Sequence, residues 1–271
     1  FDARANNANR RIIAVPLHRT LNNGYTVDYE AFESAIIQND VKVFIHCNPH
    51  NPVGHVWTEE EMDRLFRICK QHNVLIISDE IHQDLITGST SFTSALSVSN
   101  GHYADHMITM SSVSKSFNMA SLHQAEVIIP NETLRTQYNA YKAQVYHTDA
   151  DVIAETAITA AYTHPEAEAW LDDVRAVIRQ NYEYLYDELL SALPKLRISP
   201  MDGTYLTWID FSAYVRAEDM HDLFENQCRI APSFGEWFGG ESYATFVRLN
   251  LATSLANIKT ATHSIIDHIR R

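Results

Sequence analysis

Apolar and polar positions along this chain follow two periods, and the switch between them marks out the elements. Val41-Lys-Val-Phe-Ile-His-Cys47 and Val74-Leu-Ile-Ile-Ser78 are near-continuous apolar runs, the pattern of parallel strands covered on both faces. Between them, Met62, Leu65, Phe66 and Cys69 recur at helical spacing. Thr58-Glu-Glu-Glu61 opens that stretch as a capping box. Upstream, Arg10 to Leu17 reads as a short strand ended by Pro16, and Asn22-Asn-Gly24 as a turn. Asp28 to Ile37 has helical spacing with Asp28 as N-cap. Downstream, Ala104 to Met110 leads as a strand into a polar turn, and Leu122 to Pro130 reads as a buried strand.

The second half has a different rhythm. Asn131 to about Tyr162 reads as helix in two pieces, broken around His147 to Asp149. Pro165 suits a first helical turn and opens a long helix to Leu193, with Trp170, Val174, Val177, Ile178, Tyr182, Leu185 and Leu189 as its apolar stripe. Leu196 to Ser199, Thr204 to Asp210 and Phe246 to Leu251 read as strands, and Ala217 to Asn226 and Asn257 to Arg270 as helices. The first half is therefore an α/β open sheet and the second an α+β lobe, with the boundary inside the long helix, giving residues 1–180 and 181–271.

Composition narrows the function. The net charge of −13 argues against a nucleic-acid or anionic-membrane partner. No run reaches the length of a membrane span. Cys47, Cys69 and Cys228 are scattered and odd in number, which suits a reducing cytoplasm better than a disulfide framework. The chain begins at Phe1 without Met or a signal segment, so it reads as a fragment or processed product.

In an open α/β sheet, ligands gather at the carboxyl ends of the strands, and three polar stretches fall there. Asn51 sits in the rigid loop Asn48-Pro-His-Asn-Pro-Val-Gly54; its amide could donate to a phenolate oxygen, though a plain turn is the simpler use of those residues. Asp79 and His82 follow the second strand. A carboxylate there could hold a proton on a pyridine nitrogen; a helix cap beside a surface histidine is the plainer alternative. Asp79-Glu-Ile-His82 also spells a DExH box, but the phosphate loop which that reading requires is missing. As a metal site, Asp79, Glu80, His82 and Asp84 lack convincing ligand geometry, so no metal is assigned. Lys115 lies in Ser-Ser-Val-Ser-Lys-Ser-Phe-Asn118 between two apolar runs. Buried there, its amine would have a lowered pKa and could form a Schiff base with an aldehyde. Arg248 is a charge inside an apolar strand and needs a carboxylate, from the protein or from a substrate. Tyr205 and Trp208 read as packing of the second lobe.

Taken together, Asn48 to Gly54, Asp79 to His82, Ser112 to Asn118 and Phe246 to Asn250 resemble the fold-type I pyridoxal-phosphate enzymes, within the class I/II aminotransferase family. The gaps of 28 residues from Asn51 to Asp79 and 36 from Asp79 to Lys115 suit that family. Cys-Asn-Pro-His-Asn-Pro-Val-Gly, Ser-Asp-Glu-Ile-His and Ser-Lys-Ser-Phe-Asn resemble its MalY/PatB branch of cystathionine β-lyases. The resemblance implies a three-layer α/β/α large domain with a smaller α+β domain, a homodimer, and pyridoxal 5'-phosphate as cofactor. It implies a C–S β-lyase that releases a thiol, pyruvate and ammonia from a small amino acid; an aminotransferase of the same fold, or a non-catalytic remnant, is the alternative. By the same resemblance, Lys115 carries the cofactor and moves the Cα proton. Asp79 holds the ring nitrogen, Asn51 and His82 contact the ring oxygen, Ser112 donates to the phosphate, and Arg248 binds the substrate carboxylate. The sequence departs from the family at His123, where aminotransferases carry a phosphate-clamping arginine, and at Ser121, where relatives often have Gly. The family's front portion, source of the phosphate cradle and the ring-stacking aromatic, has no counterpart, so those residues are unassigned. A sheet lacking it would expose apolar surface.

Overall fold

The computed structural model describes residues 2–145 and 152–270. Helix α1 (Asp2–Asn7) precedes an antiparallel ribbon of β1 (His18–Arg19) and β2 (Tyr25–Thr26). Residues 10–17, expected as a strand, pair with no ladder among the described residues, and Ile12 is exposed. Apolar content alone makes no strand where the backbone finds no partner. Helix α2 (Tyr29–Asn39) begins where the Asp28 carboxylate accepts from Ala31 N–H at 2.9 Å.

Next come β3 (Val43–Cys47), α3 (Glu59–Gln71) and β4 (Leu75–Asp79), with β3 and β4 parallel as the apolar runs predict. The capping box at the start of α3 is formed: Glu61 N–H donates to Thr58 Oγ1 at 3.3 Å, and Thr58 N–H donates to Glu61 Oε2 at 2.9 Å. Strand β5 (Met107–Ser111) extends the sheet in parallel. The single turn of α4 (Val113–Ser116) then leads to β6 (Glu126–Ile128), which pairs antiparallel with β5. The sheet order is β3-β4-β5-β6. The buried strand expected over 122–130 is thus corrected to three paired residues at an edge, with Ile128 exposed. An edge strand has one neighbour and one chance of cover.

Helices α2 and α3 cover one face of this sheet, packing Phe32, Ile36, Met62, Leu65 and Phe66 against Ile76 and Met107. On the opposite face of β3, Val43 and Ile45 are exposed. Helices α5 (Glu132–Gln144) and α6 (Val152–Thr163) follow; the expected break at His147 to Asp149 lies outside the described residues.

Helix α7 (Pro165–Ala192) carries Pro165 in its first turn and His164 as its cap. Its buried stripe is Leu171, Ile178, Tyr182, Leu185 and Leu189, all in the core of the C-terminal lobe. Two members of the expected stripe, Trp170 and Val177, are exposed instead. That lobe is an antiparallel sheet of β7 (Arg197–Ile198), β8 (Leu206–Asp210), β9 (Ser233–Phe234) and β10 (Phe246–Asn250), in the order β7-β8-β10-β9. The helix expected over 217–226 is two pieces, a 3₁₀ turn at Ala217–Asp219 and a π turn at Asp222–Gln227. In the π turn, Leu223 and Phe224 are both buried in the C-terminal core. After β9 comes the short α8 (Glu236–Gly239), and α9 (Leu255–Ile269), capped by Ser254, closes the described chain.

The two sheets are tied close to the predicted site. Gly54 O accepts from Asp202 N–H and Gly203 N–H, both at 3.0 Å, and Asp202 O accepts from Thr87 N–H and Gly88 N–H, both at 2.8 Å. A Cβ on Gly88 would lie 2.0 Å from an Asp202 carboxylate oxygen, so that crossing admits only glycine. Among the described residues no helix is long and apolar enough to cross a membrane.

Candidate active site

The register of the β3-β4-β5-β6 sheet sets the carboxyl ends of three parallel strands side by side. Cys47, the end of β3, pairs with Asp79, the end of β4, and Asp79 pairs with Met110 of β5. The loop holding Asn51, the Asp79 carboxylate and the α4 turn holding Lys115 therefore all leave the sheet at its carboxyl edge, as the strand-end rule anticipates.

Asp79 is half-buried and accepts from Ile81 N–H at 3.2 Å. Burial raises its pKa, opposed by that hydrogen bond and by the charge of Lys115. His82 is 3% exposed. Burial first, then the charges of Lys115 and Arg248, push it down to about 4. Its Nδ1 is buried without a partner, and its ring meets Tyr205 edge-on at 5.5 Å. Lys115 thus acts electrostatically on both groups, and the contacts of His82 with Tyr205 and of Asn51 with Arg248 set this edge of the sheet against the C-terminal lobe, forming a cleft. The expectation that Lys115 is buried is corrected: it is half-buried. A single helical turn at the rim of an open sheet does not enclose so long a side chain.

The turn itself is anchored from behind. Ser116 Oγ–H donates to Asp84 Oδ2 at 2.7 Å, Tyr162 O–H donates to the same oxygen at 3.1 Å, and Arg175 Nε–H donates to Asp84 O at 2.6 Å. Asp84 so joins α4 to α6 and α7. Glu80 faces inward, accepting from Ser78 Oγ, Ser94 Oγ and Ala95 N–H at 2.8–3.0 Å. Among the described residues no three His, Cys, Asp or Glu side chains are grouped to hold a metal ion.

Ser112 is the predicted residue whose hydroxyl is engaged elsewhere. Its one proton goes to Gln124 O at 2.6 Å and its lone pair caps Ser114 N–H at 3.1 Å. In this arrangement its hydroxyl offers a phosphate no donor: the cap on Ser114 uses only a lone pair, and the single proton is spent on the Gln124 carbonyl, twelve residues along the chain. His123 is exposed.

Arg248 comes from the other sheet. It lies on the face of β10 opposite Val247 and Leu249, which fill the C-terminal core. Its Nη1–H donates to Asn51 Oδ1 at 2.7 Å, across 197 residues of sequence. Its Nη2–H donates to Ser233 Oγ at 2.9 Å, and its guanidinium carbon sits 4.8 Å above the Phe238 ring. Nε is buried without a partner, and burial lowers the pKa. No Asp or Glu among the described residues pairs with it, so its charge is uncompensated within them. With the Asn51 carbonyl oxygen taken by Arg248, the amide nitrogen remains as the donor.

Sequence reasoning missed Ser233 and Phe238 and gave Tyr205 to packing alone. Strand β9 is two residues long, too short to leave a period. Tyr205 does border β8, but its contact with His82 depends on how the two sheets meet.

The family model for aminotransferase class I and II matches residues 2–265. The chain is 34% identical over 253 residues to cystathionine β-lyase PatB of Bacillus subtilis, covering 92% of this chain and 64% of that protein. To protein MalY of Escherichia coli it is 30% identical, covering 96% of this chain and 65% of MalY. It superposes on the pyridoxal-phosphate-bound C–S lyase of Staphylococcus hominis with TM-score 0.91 and 28% identity, over 100% of this chain and 68% of that one. The chain thus spans about two thirds of the length of the relatives it matches. On a match that takes in both sheets and every residue of the cleft, the chain belongs to the aminotransferase class I and II family.

Proposed function

We propose that this chain is the greater part of a pyridoxal 5'-phosphate-dependent C–S β-lyase acting on cystathionine- or cysteine-type amino acids. The observation that carries the reading is the cleft itself. An amine, a carboxylate, a buried imidazole and an amide converge there, beside an arginine with no carboxylate partner among the described residues. The unpartnered Nδ1 of His82 and Nε of Arg248 are buried groups that a bound molecule would satisfy. This donor set fits the ring of the cofactor. Its phosphate is less well served, since the Ser112 proton is already given to Gln124.

When bound, pyridoxal phosphate supplies an electron-poor ring that stabilises negative charge at an amino acid's Cα. Lys115 would hold the cofactor through its amine and, once displaced by substrate, take the Cα proton on Nζ. Asp79 would keep a proton on the ring nitrogen; its raised pKa makes it the stronger acceptor for that shared proton. His82, kept neutral by burial, and the Asn51 amide would face the ring oxygen. Arg248 would fix the substrate carboxylate and so aim the Cα proton at Lys115. The Cβ–S bond then breaks, the thiolate departs, and water completes the conversion to pyruvate and ammonia. The proposal extends to a homodimer and to the cytoplasm, the latter supported by the unpaired Cys47, Cys69 and Cys228.

The test is borohydride reduction after adding the cofactor, read by intact mass, beside a pyruvate assay with cystathionine. The expected result is one reduced cofactor on the wild-type chain, none on Lys115→Ala, and pyruvate from the wild type alone. Keto-acid exchange without pyruvate would make the protein an aminotransferase, and a folded protein that takes up no cofactor would make it a binding module.

A further inference from the structure

Ser233 and Arg248 are direct partners across the β9–β10 ladder, which sets their side chains on one face of the sheet. The guanidinium is held from two sides, by Asn51 Oδ1 on Nη1 and Ser233 Oγ on Nη2, with its flat face over Phe238. Each of those holders is neutral. They restrict the orientation of the guanidinium while leaving its charge uncompensated, which is the arrangement that favours a bidentate carboxylate over an uncharged group. Ser233 takes part only as an acceptor, and its own hydroxyl proton has no acceptor among the described residues.

We propose that Ser233 is a substrate-positioning residue: it holds Arg248 in the plane that receives the α-carboxylate, and it gives its own proton to that carboxylate. The inference rests on the role of Arg248 proposed above. A hydroxyl that accepts from a cation becomes a better donor, so the two bonds reinforce each other at one edge of the substrate. Threonine keeps the hydroxyl; alanine removes both bonds together.

The experiment compares wild type, Ser233→Ala and Ser233→Thr, each loaded with pyridoxal phosphate, on an S-substituted L-cysteine and on its carboxamide. A second readout is the calorimetric Kd of propionate for the same proteins. Ser233→Ala should raise KM for the acid about tenfold, the weight of one charge-assisted hydrogen bond. It should leave kcat nearly unchanged and move KM for the carboxamide less than about twofold. Propionate should weaken by the same factor as the acid substrate, and Ser233→Thr should restore both values. An unchanged KM, or an equal rise for acid and carboxamide, overturns the proposal, as does propionate binding that ignores the substitution. A wild type that releases no pyruvate but binds propionate in a Ser233-dependent way would sink the lyase reading and leave this assignment standing.

Discussion

At the scale of single residues, the cleft is governed by groups kept in the protonation state that burial dictates. His46, His50 and His82 are pushed down to about 3, 4 and 4, in each case chiefly by burial. His46 is packed among the rings of Phe44, Trp57 and Phe66, with Nε2 unpartnered. In the unfolded chain each of these histidines takes up a proton near its ordinary value. Between about pH 6.5 and about 4 the unfolded state therefore binds more protons, and stability is lost as pH falls, by up to about 1.4 kcal/mol per pH unit for each histidine. Asp79 and Glu80, raised by burial, act in the opposite sense just above the ordinary carboxylate range. Three histidines outweigh two carboxyls, so urea midpoints should fall steadily from pH 7 to pH 5. His46→Phe should flatten that slope by about a third, and an unchanged slope would show that burial of His46 is not its source.

At the scale of elements, the loop after β3 is where local structure becomes function. Asn48 is fully buried; its amide donates to Thr93 O at 3.1 Å and its carbonyl accepts from Trp57 N–H at 3.1 Å. These bonds fix the loop three residues before Asn51. Asn48→Leu would leave a buried N–H and a buried C=O unpaired, and should destabilise the protein by about 2–4 kcal/mol. Chemical denaturation measures the loss. The strand, helix and capping-box pattern here was legible because every signal agreed: apolar runs, helical spacing, Thr58 and Glu61. Legibility failed where an element depended on a distant partner. Residues 10–17 have strand composition and no partner strand among the described residues, and 122–130 have the composition of a buried strand and lie at an edge.

At the scale of the whole molecule, two layers meet cleanly and a third face stands open. The β3 face bearing Val43 and Ile45 is exposed, as is Ile128 at the far edge. Exposed sheet surface of this kind drives association. The 271-residue chain by itself should bind the dye ANS and sediment as a concentration-dependent mixture; a cooperatively melting, dye-silent monomer would contradict this. The same scale explains the cleft. Gly54 O, clamped by the Asp202 and Gly203 N–H groups, carries the Asn51 loop to the C-terminal lobe, where Arg248 meets it.

The sequence by itself determined the chemistry available at the strand ends: Asn51, Asp79, His82 and Lys115 follow apolar runs whose parallel pairing brings their ends together, whatever else the chain does. It also determined that Arg248 was a charge in need of a carboxylate. Only the tertiary structure decided that no carboxylate among the described residues meets it, that Asn51 and Ser233 hold it from two sides, and that the Ser112 proton is spoken for by Gln124. The reason is physical. Period and capping are local properties written within a few residues, whereas a hydrogen bond across 197 residues exists only where two sheets meet in the folded chain.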